Sequence, residues 1–205
     1  MRFVLTLIPV IFITSCSDSL EQEKPMDKFS SQDFFEEFKN QTIYTRLDVE
    51  TLNALQDEKL GLAITDYVVH KLKAAADDGA VIRSLSEGVR AFWLTSMVEG
   101  EVYNGGFNQY YWNTEGRYSS EAVTAFEFFS ATEHAMLMRE ANAMRAQESA
   151  TIKKYEEADT VEAFSESYKA SNLGLLDTRF YALTENLYAL RLARIREEPS
   201  LFVGN

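Results

Sequence analysis

The chain is poor in the residues that most often carry chemistry: of its 205 residues one is cysteine, Cys16, and two are histidine, His70 and His134. A single cysteine excludes an intramolecular disulfide, so the fold rests on its core alone. Neither histidine stands in a His-x-x-x-His or Glu-x-x-His spacing, which removes the usual metal-ligating patterns, and each reads as a helix-surface residue. The sequence has no Gly-x-Ser-x-Gly, no Walker loop and no dinucleotide fingerprint. Glu99 and Glu101 are two residues apart, so on a helix they face different ways and make a poor acid–base pair. No catalytic set, metal or cofactor is therefore expected. Basic residues are also scarce, 20 Lys and Arg against 32 Asp and Glu, for a net charge of −12. A surface of that sign repels nucleic acid and anionic membrane, so direct nucleic-acid binding is not expected and a macromolecular partner should be basic.

The first stretch that is present is a leader. Arg2 is followed by an almost wholly apolar run, Phe3 to Ile13, and then by Ile13-Thr14-Ser15-Cys16. The run is too short for a membrane span, which needs about 20 residues. It resembles a bacterial lipoprotein signal peptide over residues 1–15, with Cys16 as the lipidated first residue of the mature chain. Residues 16–30 are polar, include Pro25 and lack aliphatic periodicity, as a flexible tether does. Ser17 after the cysteine resembles the pattern sorted to the outer membrane. The expected location is the bacterial cell envelope, facing the periplasm, with membrane contact only through the lipid. Removing Arg2 with the leader leaves 19 basic against 32 acidic residues, or −13.

Residues 31–199 read as one all-α domain, a compact bundle of about seven to nine helices, followed by a tail at 200–205. Ser31 or Asp33 opens a short helix carrying Phe34, Phe35 and Phe38. Asp48 caps a helix from Val49. Leu60, Ile64, Val68 and Leu72 recur at four-residue spacing until Asp77-Asp78-Gly79. Ser84-Leu85-Ser86-Glu87 reads as a capping box before the central helix. Ser119 or Ser120 starts the next, with Ala122, Val123, Phe126 and Phe129 facing inward. A helix over Glu133 to Gln147, one capped by Asp159 through Tyr168, and a closing pair within Asn172 to Arg196 complete the series. No alternating run is long enough for a strand.

The most unusual stretch is Glu99 to Gly116, EGEVYNGGFNQYYWNTEG, which packs aromatics and amides around two adjacent glycines. Upstream, Val89, Phe92, Trp93, Met97 and Gly100 form an apolar stripe whose continuation brings Glu101 and Asn104 onto or beside the buried face. Such groups need hydrogen-bond partners or a cleft that reaches solvent. Asn104-Gly105-Gly106 reads as a helix C-terminus with Gly105 left-handed and Phe107 folded back onto the helix. Two readings stand at this corner: a satisfied structural turn, or a recognition cleft around Glu101, Asn104 and Gln109.

The run from Glu101 to Asn113 with Gly116 resembles the hallmark of the DNA-mimic protein C-terminal-domain family. A second block, Leu175 to Leu183, is similar to that family's closing segment, and the resemblance spans roughly Leu47 to Pro199. It implies an all-helical, non-catalytic domain, and it allows a homodimer that occupies the DNA-binding surface of a partner. Candidate binding residues from the two blocks are Glu101, Asn104, Gly105, Gly106, Phe107, Gln109, Tyr110, Asn113 and Asp177. The expected function is an acidic binding protein that blocks or sequesters a basic, DNA-binding or nuclease-like partner from a lipid-anchored position. The alternative is an envelope lipoprotein that holds a small ligand or peptide in the polar-aromatic cleft; a hydrolase without a recognisable motif is third. The acids most evident in the sequence are Glu36, Glu37, Asp48, Glu50, Asp57 and Glu58, then Glu115, Glu121, Glu127, Glu133 and Glu140 at six- or seven-residue intervals.

Overall fold

Local capping and one buried stripe per helix account for most of the architecture. In the computed structural model, which describes residues 42–158 and 160–204, Asp48 accepts from Thr51 N at 2.8 Å and starts α1, Val49–Ala54. In α2, Asp57–Lys73, the residues Leu60, Ala63, Ile64, Tyr67 and Val68 are buried, the three-and-four spacing of a single inward face. Asp77 does more than stop that helix, because its carboxylate accepts from Ala80 N and opens α3, Asp78–Ser84. The long α4, Glu87–Thr114, is followed by α5, Ser119–Phe128, and α6, Thr132–Ala158. Thr160 caps α7, Val161–Ala170; α8 is Gly174–Tyr181, and Asn186 caps α9, Leu187–Glu197. The expected all-α fold is what the described residues form, nine α-helices and no strand, with α4 packed against α2, α5, α7 and α8.

Several expectations need correction. The capping box does not form: Ser86 precedes α4 without a side-chain cap, and the Ser84 hydroxyl donates instead to the Val81 carbonyl at 2.7 Å. Thr160, not Asp159, caps α7. Residues 200–204 are no tail. Pro199–Phe202 is a 3-10 turn whose Phe202 is wholly buried, and Gly204 exchanges backbone hydrogen bonds with Leu47 at 2.8 and 3.0 Å. Thr42–Asn205 is thus one compact unit closed by its own ends. The leader, Cys16, the tether and the helix expected around Phe34, Phe35 and Phe38 lie outside the described residues, as do Glu36 and Glu37.

His134 is also not a surface residue. It is 5% exposed, stacks on Phe126 and meets Glu185 through Nδ1 at 2.6 Å. Glu185 additionally accepts from the backbone N–H of Glu133 and of His134, both at 3.2 Å, so one carboxylate caps α6 and holds the imidazole. Burial alone would raise the Glu185 carboxyl, but the His134 ring and these N–H donors override it and hold the group below its ordinary value.

Candidate functional site

Helix α4 breaks at its two adjacent glycines, and the break organises the surrounding chemistry. Gly105 has φ −166° and ψ 28°, and Gly106 has φ 75° and ψ 179°. The residue that requires glycine by conformation is therefore Gly106, not Gly105, because the chain reverses its turn one peptide later than a simple helix cap would. A side chain at Gly106 would also collide with Asp177, its Cβ lying 2.7 Å from Asp177 Cγ.

A break in a helix leaves backbone donors and acceptors without their i to i+4 partners, and inside a core these must be paired otherwise. Side chains from the C-terminal helices pair them. The Phe107 N–H donates to Asp177 Oδ1 at 2.7 Å, the Tyr168 hydroxyl donates to the Gly105 carbonyl at 2.5 Å, and the Tyr181 hydroxyl donates to the Val102 carbonyl at 2.8 Å. The partners are thus two tyrosines and an aspartate from α7 and α8, 63 to 79 residues further along the chain. Burial raises the Tyr168 hydroxyl, and the negative charges of Asp177 and Glu101 add to it; burial, Asp177 and Tyr103 do the same for Tyr181. Both hydroxyls are thereby kept protonated as donors. Burial likewise raises the Asp177 carboxyl, against the opposing pull of the Phe107 N–H.

The amides close a second layer. Glu101 Oε2 accepts from Gln109 Nε2 and from Asn113 Nδ2, each at 2.8 Å, which ties the helix before the break to the helix after it. Asn108 is buried and donates to the Ser167 hydroxyl at 2.7 Å, and the Tyr111 hydroxyl donates to Asn142 Oδ1 at 2.6 Å. Phe107 is fully buried and meets Phe180 edge-on, while Tyr103 stacks with Tyr181 on the outside of the break at 5.7 Å between ring centroids.

Of the nine candidate binding residues, the structure brings eight together around this break. Glu101, Gln109 and Asn113 form the bridge; Gly105, Gly106, Phe107 and Asp177 form the break itself; Tyr110 sits beneath it, fully buried with no partner for its hydroxyl among the described residues. Phe107, Tyr110 and Gly106 are core and present nothing to a ligand. Asn104 is the exception. The buried stripe of α4 runs through Ala91, Leu94, Thr95, Val98 and Val102 rather than through Met97 and Gly100, which turns Asn104 out to solvent and away from the network. Sequence reading missed Tyr168 as a member; Asn108 stood within the aromatic-amide run, and Tyr181 within the second block, without an assigned partner.

The acids divide sharply on the surface. Asp57 is held by Arg196, Asp48 by Arg46, Glu127 by Arg139, Glu140 by Arg179 and Glu99 by Arg191. Glu50, Glu58, Glu87, Glu115, Glu121, Glu133 and Glu162 are exposed and have no ion-pair partner among the described residues. Of the surface acids singled out in the sequence that lie among the described residues, Asp48, Asp57, Glu127 and Glu140 are thus already neutralised by an internal cation. Among the described residues no group of three or more His, Cys, Asp and Glu is placed to hold a metal ion, and no helix is long and apolar enough to cross a membrane.

The family model described as DMP19-like protein matches residues 83–198, more than half of the chain. That interval contains both sequence blocks and every side chain that pairs the helix break. No curated protein and no solved structure matches the chain.

Proposed function

Because the chain belongs to the DMP19-like family of DNA-mimic proteins, we propose that it acts as a non-catalytic acidic protein that occupies the basic, nucleic-acid-binding surface of a protein partner. The family match is the observation that carries this reading. The physical support is the set of exposed carboxylates at Glu50, Glu58, Glu87, Glu115, Glu121, Glu133 and Glu162, which have no ion-pair partner among the described residues and are placed to meet a cation from a partner. On this reading the helix break is scaffold. It fixes α4 against α7 and α8 so that a rigid helical surface, rather than a flexible acidic tail, presents the charges, which lowers the ordering cost of binding. The Glu101–Gln109–Asn113 bridge is satisfied internally and needs no ligand.

The partner is reached from the envelope. Lipidation at Cys16 would hold the domain on the periplasmic side of a bacterial membrane, so a basic exported protein of the nuclease type suits the location better than a cytoplasmic transcription factor. Cys16→Ala should release the protein from the membrane fraction or leave its leader uncleaved, and wild-type fractionation of this variant would remove the anchor from the account. The binding reading is tested by competition: the protein and duplex DNA should exclude one another on the same partner, and simultaneous binding of both would reject it.

A further inference from the structure

Beside the helix break, α4 and α8 carry two aromatic side chains that the core does not enclose. Tyr103 and Tyr181 are 55% and 50% exposed, and their rings stack at 5.7 Å between centroids with 20° between their planes. Both are held in place from within the fold. The buried Phe180 meets Tyr103 edge-on at 5.7 Å, and the Tyr181 hydroxyl is tied to the Val102 carbonyl. An exposed aromatic pair that is already ordered loses little freedom on being covered, and tyrosine is enriched where protein interfaces draw most of their binding energy.

Charge decides what kind of partner fits this face. Glu101 and Asp177 each commit one carboxylate oxygen to the fold, Glu101 Oε2 to Gln109 and Asn113, and Asp177 Oδ1 to the Phe107 N–H. Both residues keep part of their surface in solvent. At Tyr103, burial and then Glu99 raise the hydroxyl; at Tyr168, burial, Asp177, Tyr181 and Glu101 do so; at Tyr181, burial, Asp177 and Tyr103 do so. No cation opposes these effects, whereas Arg145 does at Tyr111 and Arg117 at Tyr118. The cations of the adjoining helices, Lys169, Arg179 and Arg191, are held by Glu166, Glu140 and Glu99. The face is therefore aromatic, negative and without a cation of its own. A second copy of the chain, itself at −12, would bring charge of the wrong sign to it.

We propose, building on the reading of this chain as a binder of a basic protein, that the Tyr103 and Tyr181 face receives an arginine of that partner. The guanidinium lies on the exposed tyrosine rings in the negative field of Glu101 and Asp177. Arginine suits the face better than lysine, because its planar group stacks on a ring and still donates from its edge, whereas an ammonium is a strongly hydrated point charge.

The test titrates the full chain into fluorescein-labelled hexa-arginine and hexalysine, peptides of equal charge, and reads fluorescence anisotropy at low salt. Both should bind, hexa-arginine about fivefold more tightly. Tyr103→Ala should weaken hexa-arginine about threefold and hexalysine much less, so that the ratio falls, while Tyr103→Phe keeps the ring and the ratio. Should the alanine variant lose stability, Tyr103→Leu, which still covers Phe180 but has no aromatic face, should lower the ratio in the same way. Replacing Glu115, Glu121 and Glu133 together by glutamine should weaken both peptides alike and leave the ratio unchanged. If both peptides bind but the ratio is indifferent to Tyr103→Ala and Tyr103→Leu, the arginine contact is refuted and the acidic-binder reading stands; if neither peptide binds, both fall. If Tyr103→Ala instead converts a dimer of the protein alone to a monomer in sedimentation, a second copy covers the face and the proposal is overturned.

Discussion

Replacing Gly106 by alanine should damage this protein through its backbone and its packing at once. The perturbation has two parts. The backbone at φ 75° and ψ 179° is one that side-chain-bearing residues adopt only under strain, worth roughly 1–3 kcal/mol. The new Cβ would stand 2.7 Å from Asp177 Cγ and push away the carboxylate that accepts from the Phe107 N–H; leaving that buried donor unpaired costs about 1–3 kcal/mol more. The sum, about 2–6 kcal/mol, is a large share of the 5–15 kcal/mol typical of a whole domain. Urea denaturation of the full chain followed by circular dichroism measures it, with two internal controls. At Gly105 the φ of −166° is ordinary extended backbone, and the added Cβ meets mainly the flexible end of Gln109, so Gly105→Ala should cost less than Gly106→Ala. At Gly100, on the exposed side of α4, nothing lies within 4 Å of a new Cβ, and alanine should stabilise the helix by roughly 0.5–1 kcal/mol. If Gly105→Ala proves as costly as Gly106→Ala, or if Gly106→Ala unfolds within about 0.5 kcal/mol of wild type, the reasoning about the break fails.

Two further outcomes follow from the polar contacts. Glu101→Ala removes the acceptor shared by Gln109 and Asn113; since Asn113 is exposed and regains water, the loss should be near 1–2 kcal/mol in the same denaturation assay, and an unchanged midpoint would show that the bridge contributes nothing. Acid sensitivity should centre on Glu185, whose folded carboxyl titrates below its ordinary value because of His134 and the α6 N–H groups. A depressed carboxyl contributes stability that is full above its unfolded pKa of about 4.3 and is lost as pH falls through the lower folded value. Glu185→Gln should therefore flatten the pH dependence of the melting temperature below about pH 4.5, and an undiminished slope in the variant would rule this origin out.

Periodicity carried the helices because each buries one stripe: Leu60, Ile64 and Val68 on α2, and Ala122 and Phe126 on α5, stand inward as their spacing requires. The unusual chemistry around Gly105 and Gly106 was also visible, and so was the supply of amides for Glu101. What the spacing could not show is that the break is paired from elsewhere. Asp177, Tyr168 and Tyr181 reach α4 across more than sixty residues, and nothing local in their own helices marks them as its donors and acceptors. The same holds for Arg191 and His134, whose partners Glu99 and Glu185 are 92 and 51 residues away, so nothing local marks either side chain as buried until the chain is folded. The drift of the α4 stripe by one and then two positions, from Met97 and Gly100 to Val98 and Val102, was enough to misplace Asn104.

The central claim, that unpaired surface carboxylates stand in for duplex phosphates, is most directly tested with a partner captured by the full chain and shown to bind duplex DNA. Association should slow steeply as salt rises from about 50 to about 500 mM, since opposite charges are screened beyond about 8 Å at physiological ionic strength. A variant carrying Glu115→Gln, Glu121→Gln and Glu133→Gln should lose both affinity and salt dependence, while Glu127→Gln with Glu140→Gln, whose charges Arg139 and Arg179 already hold, should lose much less. The wild-type protein should displace DNA from the partner competitively. A partner that holds this protein and DNA together, with an affinity indifferent to salt and to the three free carboxylates, would contradict the account.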